Sequence, residues 1–467
     1  MAEATQEARG RLAPYVWLVL AVAGLAVVSD RFGDEIVGRL AGLEDAPAAP
    51  VLAAIALFGF CSFASFYASW KTPLPSFVVA IALGMAGHAL FAPIVANTTL
   101  VASLVTVSAA AILFGGGLEM PLKSFLRLFV KIALLAVPGV LITGFALSWV
   151  VGHVAALFGI ALAPIVIVLL GAILASTDPA AIIPLLEHVR FKRRAAKDIV
   201  VAESALNDVV GTLLTSAFLK LPLAGIALVA AYRSLASPPA LQFLANQGGY
   251  GLLFGVAGYG LLLLLSRMKR RFAPYGADQV YFLATPILAF AGAALFGGSG
   301  FLAAFVAGLL YETREHMARI ERFFSQIVDG VAKPLIFVLV GALADPHALV
   351  AYAPVGILAA MVFMAVLRPV MVFLMLGPYL ALRARGLTLQ ELLFISFVRE
   401  TGAIPAVLLV TAVARVAAPV DGLVEIGMWV ILMTLIVAPP FTPYLARKLG
   451  LTAGPVPSPA EALAGKA

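Results

Sequence analysis

Apolar runs of 18 residues or more recur along the chain, separated by short stretches carrying Lys, Arg, Gly and Pro. A run of that length crosses a hydrocarbon core of about 30 Å as a helix. The strands of a membrane barrel would instead alternate apolar and polar residues over short segments, and the sequence shows no such alternation. The pattern predicts fourteen membrane helices, at 14–29, 50–70, 74–93, 99–118, 128–151, 156–187, 199–219, 248–266, 279–296, 299–311, 333–344, 352–380, 391–415 and 424–446. The tenth and eleventh are short and extend into their flanks. Segment 221–232 is apolar enough to suggest a fifteenth.

Charge settles that choice. With a cytoplasmic N-terminus and no crossing at 220–247, most of the 31 Lys and Arg residues fall on the cytoplasmic side. They include Arg190, Lys192, Arg193, Arg194 and Lys197, then Arg267 to Arg271, then Arg314, Arg319 and Arg322. The outside segments keep Arg31, Arg39, Lys220, Arg233 and Arg415, while Arg368 and Arg399 lie within spans. A fifteenth crossing would move two of the basic loops outside, against the positive-inside bias. The first span follows Arg9 and Arg11, as a signal peptide would, but Glu3 and Glu7 dilute that charge and no small-x-small cleavage site follows. It reads as a retained helix. The tail after Arg447 is short and rich in Ala and Pro, too small for a regulatory domain. Both termini are expected to be cytoplasmic.

Composition agrees with a membrane solvent. Of 467 residues, 63% are hydrophobic and 12% charged, against about 25% charged in a soluble domain. The +7 net charge does not point to nucleic acid, because the basic residues sit in short loops rather than one patch. A single cysteine, Cys61, excludes an intrachain disulfide and a cysteine metal cluster, and the five histidines show no ligand spacing. No Gly-x-x-x-x-Gly-Lys run is present. No cofactor is expected.

Ionisable residues inside a span cost about 2.5–3.5 kcal/mol each on insertion scales and mark functional positions. Four spans hold nearly all of them. Span 6 runs through Thr177-Asp178-Pro179 to Pro184, and two prolines five apart predict a break near 177–179. Freed backbone groups at membrane depth are tolerated only where they line protein or water, which is how many transporters build ion sites. Span 7 carries Glu203, Ser204, Asn207 and Asp208. Glu203 and Asn207 share a helical face, as do Ser204 and Asp208, and the two adjacent faces are expected to line one cavity wall. A monovalent cation that sheds water needs oxygens in its place, and Asp208, Ser204, Asp178 and Thr177 are candidates to supply them. Span 12 has a lone Arg368 before Pro369 in an otherwise apolar run, and Glu203 is its candidate partner. Span 13 reads Arg399-Glu400-Thr401-Gly402-Ala403-Ile404-Pro405, a second predicted interruption. The interrupted spans are seven apart. That spacing fits two six-helix repeats, spans 2–7 and 9–14, joined by span 8 and inverted in topology. The fold class is therefore an all-α polytopic membrane protein with inverted repeats and two interrupted helices.

These residues resemble the cation/proton antiporter family, in its electroneutral branch of bacterial sodium/proton antiporters related to the animal exchangers. The resemblance is carried by Thr177-Asp178-Pro179 followed by Glu203-Ser204 and Asn207-Asp208, then Gly298 to Ala303, Arg368-Pro369 and Arg399 to Pro405. It implies a bilayer-embedded homodimer, in the bacterial inner membrane, that exchanges a monovalent cation (Na⁺ first, K⁺ or Li⁺ as alternatives) for H⁺. It also implies core helices at 128–219 and 351–446 moving against dimer-domain helices at 50–127 and 220–350, with 1–49 an extra helix and outside loop and 447–467 a short tail. Asp208 is implied as the ion and proton carrier, with Thr177, Asp178 and Ser204 as ion ligands or supports. Glu203 with Arg368 is implied as a structural pair and Asn207 as a polar support. Relatives that move net charge place a second aspartate where Asn207 stands, so exchange is expected to be electroneutral. Three features depart from the pattern. Gly115 stands where many relatives have a glutamate, with Glu119 one turn later; Glu400-Thr401 adds polar residues after Arg399; and the first span is extra. A channel would need a filter loop or charged ring and a sensor a sizeable soluble domain, neither evident here. An organic-anion carrier is disfavoured by the clustered carboxylates.

Overall fold

The computed structural model describes residues 2–43, 45–46, 48–72, 74–177, 191–221, 226–272, 278–311, 318–381, 386–416 and 420–453, and the regular elements among them are helices. Eight helices are long and apolar enough to cross a membrane, or ten if each of two bent pairs counts as one span. The remaining expected spans fall on shorter apolar helices, Pro164–Leu174, Val280–Leu295, Gly300–Leu310 and Ala403–Arg415. The chain is thus a multi-pass, all-α membrane protein.

Several expected boundaries are corrected. The first helix runs Ala2–Ala41 rather than 14–29. Charges beyond Val28 end the apolar run but not the helix, because Arg39 pairs with Glu35 one turn earlier at 2.5 Å. Arg31 and Arg39, expected in an outside loop, therefore sit on that helix. Span 3 is two helices, Ser76–Ala86 and His88–Val95, bent by 88° across Gly87. Span 5 starts earlier, with Leu122–Ala136, and continues as Pro138–Leu157, the proline opening the second helix where its missing N–H costs nothing. Span 6 does not begin at 156. The preceding helix ends in a turn with Gly159 at φ 70°, and Pro164–Leu174 follows. Span 8 begins at Pro238 rather than 248. In the doubtful 220–247 segment the helix Leu228–Ser234 has seven residues, too few to cross.

Two π-helical turns interrupt the second half, Val328–Ala332 and Phe363–Leu367. Each is followed directly by a basic residue and a proline, Lys333-Pro334 and Arg368-Pro369. The proline removes an N–H from the ladder and crowds the carbonyl four residues back. Widening the preceding turn accommodates both, and such turns cluster at functional sites.

Two closely packed helix pairs stand where an inverted repeat predicts them. Ser76–Ala86 packs on Lys333–Leu343, and Thr98–Leu118 packs on Gly300–Leu310. These are spans 3 with 11 and 4 with 10, which exchange under the inverted repeat. Both pairs meet backbone to backbone at glycines. A Cβ on Gly84 would overlap the Val338 carbonyl and one on Gly341 that of Ile81; in the other pair, Gly308 meets the Phe114 carbonyl and Gly117 that of Phe305. Small residues that let backbones touch are the usual device for helix association in lipid.

Candidate functional site: a broken helix clamped by a polar one

Pro164–Leu174 stops in the protein interior, and Ala175, Ser176 and Thr177 leave the helical path. The Ala175 N–H still bonds the Gly171 carbonyl at 3.1 Å, but the Ala175 and Thr177 carbonyls and the Thr177 N–H lie past the helical ladder, and side chains satisfy them. Arg399 donates from Nη2 to the Ala175 carbonyl. Ser204 Oγ donates to the Thr177 carbonyl. The Thr177 N–H donates to Asn207 Oδ1 at 2.9 Å. Thr177, Ser204 and Asn207 are all buried.

The clamp comes from one face of Ala195–Lys220. Gly211 allows the approach: a Cβ there would lie 2.7 Å from Ser176 Cβ. Asn207 is the hub. Its Nδ2 donates to Thr177 Oγ1 at 2.5 Å and to Glu203 Oε1 at 2.8 Å. With Oδ1 receiving the Thr177 N–H, the amide uses both its donor and acceptor sides. Arg368 closes the network with a bidentate fork, Nη1 to Glu203 Oε1 at 3.0 Å and Nη2 to Oε2 at 2.8 Å. Arg368 is 1% and Glu203 2% exposed, so neither is solvated and each depends on the other.

The second interruption lies at 398–402, between Leu389–Phe397 and Ala403–Arg415. Thr388 and Glu391 form a capping box that starts the first half-helix. Within the break, the Thr401 N–H donates to Thr434 Oγ1 at 3.0 Å. The Arg399 guanidinium lies 4.5 Å from the Phe363 ring centroid, over the π turn that precedes Arg368. Arg399 thus sits at the interruption of its span and ties this break to the end of Pro164–Leu174.

Asp208 faces elsewhere. It lies with Val201 and Ala205 on another stripe of Ala195–Lys220, and the three line a pocket of about 40 Å³, room for two or three waters. The opposite wall comes from Gly115, Gly116 and Glu119 and from Ser325, Asp329 and Lys333. Asp208 is 4% exposed, whereas Glu119 and Asp329 are exposed. Glu119 also lines a neighbouring cleft with Arg194, Lys197 and Asp198. The pocket therefore adjoins the basic end of the bundle.

The expected single cavity wall is accordingly divided. Glu203, Ser204 and Asn207 turn to the broken helix, and Asp208 turns to the pocket. Thr177 joins the first group. Asp178 lies outside the described residues. Gly115 and Glu119 both stand on the pocket wall. Reading the sequence missed Asp329 and Lys333, although a Lys-Pro pair at the head of an apolar run was visible. It also missed the Arg399 contact, whose acceptor is a backbone carbonyl without a residue signature.

A helix that ends in the interior, tied there to a second helix interrupted at 398–402, and a buried carboxylate at a small pocket are the architecture of a secondary transporter. The transmembrane sodium/hydrogen exchanger family model matches residues 41–448, and the chain belongs to that family, one of transporters rather than enzymes. A K⁺/H⁺ antiporter NhaP of Alkalimonas amylolytica is 29% identical over 351 residues, 72% of this chain and 55% of that protein. An Na⁺/H⁺ antiporter NhaP of Pseudomonas aeruginosa is 30% identical over 246 residues, 51% of this chain and 55% of that protein. The chain thus spans about half the length of these relatives. The sodium proton antiporter MjNhaP1 of Methanocaldococcus jannaschii shares the fold, with a TM-score of 0.65 at 21% identity over 86% of this chain and 99% of that one.

Proposed function

We propose that this protein is a secondary antiporter that exchanges a monovalent cation, Na⁺ in the first reading, for H⁺, with Asp208 as the carrier. The observation that carries this reading is the placement of Asp208. It is a buried carboxylate at the pocket, while its neighbours are committed, Glu203 to Arg368 and Asn207 to the Thr177 backbone. A single carboxylate that binds either a proton or a cation, but not both, couples the two fluxes. Thr177, Ser204 and Asp178 serve as ligands or supports, and Glu203, Arg368 and Asn207 hold the site in shape.

Alternating access fits the origin of the pocket walls. One wall comes from the 128–219 set and the other from 50–127 and 220–350, so relative motion of these sets would open the pocket to one side and then the other. The reading extends to a homodimer in the plasma membrane, a bacterial inner membrane, with cytoplasmic termini by the distribution of basic residues. Potassium in place of sodium is the second reading, supported by the K⁺/H⁺ name of the Alkalimonas relative. The test is exchange in proteoliposomes with an internal pH dye, adding Na⁺, K⁺ or Li⁺ in turn. Dequenching by one or more of these ions is expected; no response to any of them would overturn the reading.

A further inference from the structure

The pocket beside Asp208 contains a cation of its own. Lys333 lines it and is 7% exposed, and its Nζ lies 2.7 Å from Asp329 Oδ1. The ionisable residues on the described walls are Glu119, Asp208, Asp329 and Lys333. Asp329 belongs to the π turn Val328–Ala332, and Lys333 follows that turn directly. The Asp329 side chain is 59% exposed and that of Lys333 only 9%. The acid thus stands toward the outside of the pocket and the lysine stem within it.

A lysine ammonium is a compact monovalent cation on a flexible four-carbon stem. It has the charge of the ions an antiporter carries and shares a cavity with room for only a few waters. Both a tethered ammonium and a free cation seek carboxylate oxygens. The outcome depends on which carboxylate the ammonium prefers.

We propose that Lys333 is a built-in competitor for the cation site at Asp208, and that Asp329 sets apparent cation affinity by holding the ammonium away from it. The inference rests on the antiport reading for the identity of the site. Asp329 is then a positioning residue that acts through Lys333. With Asp329 intact, the ammonium is engaged at the turn and the pocket is open to the transported ion. With Asp329 neutral, the ammonium turns to Asp208 and a free cation must displace it.

Saturation curves for Na⁺ and K⁺ in proteoliposomes test this with Asp329→Asn, Lys333→Gln and the double variant. Asp329→Asn should raise the apparent KM about fivefold, the size a half-exposed ion pair is worth, with maximal rate little changed. The double variant should return KM to near the parent value. Lys333→Gln alone should lower KM about twofold or more, since Asp329 then adds free negative charge to the pocket. An unchanged KM in Asp329→Asn, or a double variant as impaired as that single one, would overturn the proposal. If Asp329→Asn does not fold, an unchanged or raised KM in Lys333→Gln overturns it alone. Cation-dependent thermal stabilisation of the same variants reads binding without transport. A parent protein that is stabilised by Na⁺ or K⁺ but does not exchange them would sink the antiport reading while leaving the competition measurable.

Discussion

Asn207 presents its amide nitrogen to Oε1 of Glu203 at 2.8 Å, one helical turn away. The same nitrogen reaches Thr177 Oγ1, and the amide oxygen takes the Thr177 N–H. An ionised aspartate in this place would keep only the last of these bonds and set a second negative charge against Glu203. Asn207→Asp is therefore expected to destabilise the fold by about 1–3 kcal/mol, the cost of leaving buried partners unmatched. Thermal unfolding in detergent measures it. A variant as stable as the parent would mean that the amide is not the hub.

The Glu203–Arg368 fork is buried at both ends. Glu203→Gln or Arg368→Gln alone leaves an uncompensated charge and should cost about 3–5 kcal/mol, whereas the double change should cost less than the sum. Melting temperatures of the three variants give the coupling. Simple addition of the two single losses would show that the residues act independently.

Asp208→Asn preserves shape and removes the charge that a proton and a cation compete for. Exchange should fall to background while expression and melting temperature stay near the parent. Cation-driven pH changes at more than a few per cent of the parent rate would remove Asp208 as carrier.

Exchange should be electroneutral. Asn207 has no proton to carry, and Glu203 is engaged by Arg368 and Asn207. One carboxylate that alternates between H⁺ and a monovalent cation gives the moving unit the same charge on both strokes. A potential of 100 mV is worth about 2.3 kcal/mol per charge moved, so a second charge would make transport strongly voltage-dependent. Clamping the potential with potassium and valinomycin should leave the initial sodium-driven rate nearly unchanged. A steady current on a supported membrane would show that a further charge crosses.

Much of this site was legible because membranes make polar residues rare. A lone arginine in the 352–380 run demanded a carboxylate, and Glu203 was its candidate partner, as the structure has it. The Thr-Asp-Pro run marked the place where Pro164–Leu174 gives way to an irregular path. Helix ends were less legible, since hydropathy reports where lipid ends and not where the backbone ladder does. The extension to Ala41, the bend at Gly87 and the start at Pro238 all lie beyond what apolarity records. Division of the polar face of Ala195–Lys220 was hidden too. Spacing alone places Ser204 and Asp208 on one stripe, but a bond to a carbonyl across the interior turns Ser204 away.

The glycine contacts bear on mechanics. Where Ser76–Ala86 meets Lys333–Leu343, and Thr98–Leu118 meets Gly300–Leu310, main chain rests on main chain. Such a joint has no rotamers to exchange, so it offers little compliance: it holds or separates. These four helices then behave as a stiff frame, and strain applied at the pocket must be taken up where longer side chains form the contact. The wall that carries Asp208 has that softer kind of boundary, facing Lys333, Glu119 and Ser325. A larger residue at Gly84 or Gly308 would loosen the frame itself and blur the distinction between the part that stays and the part that slides.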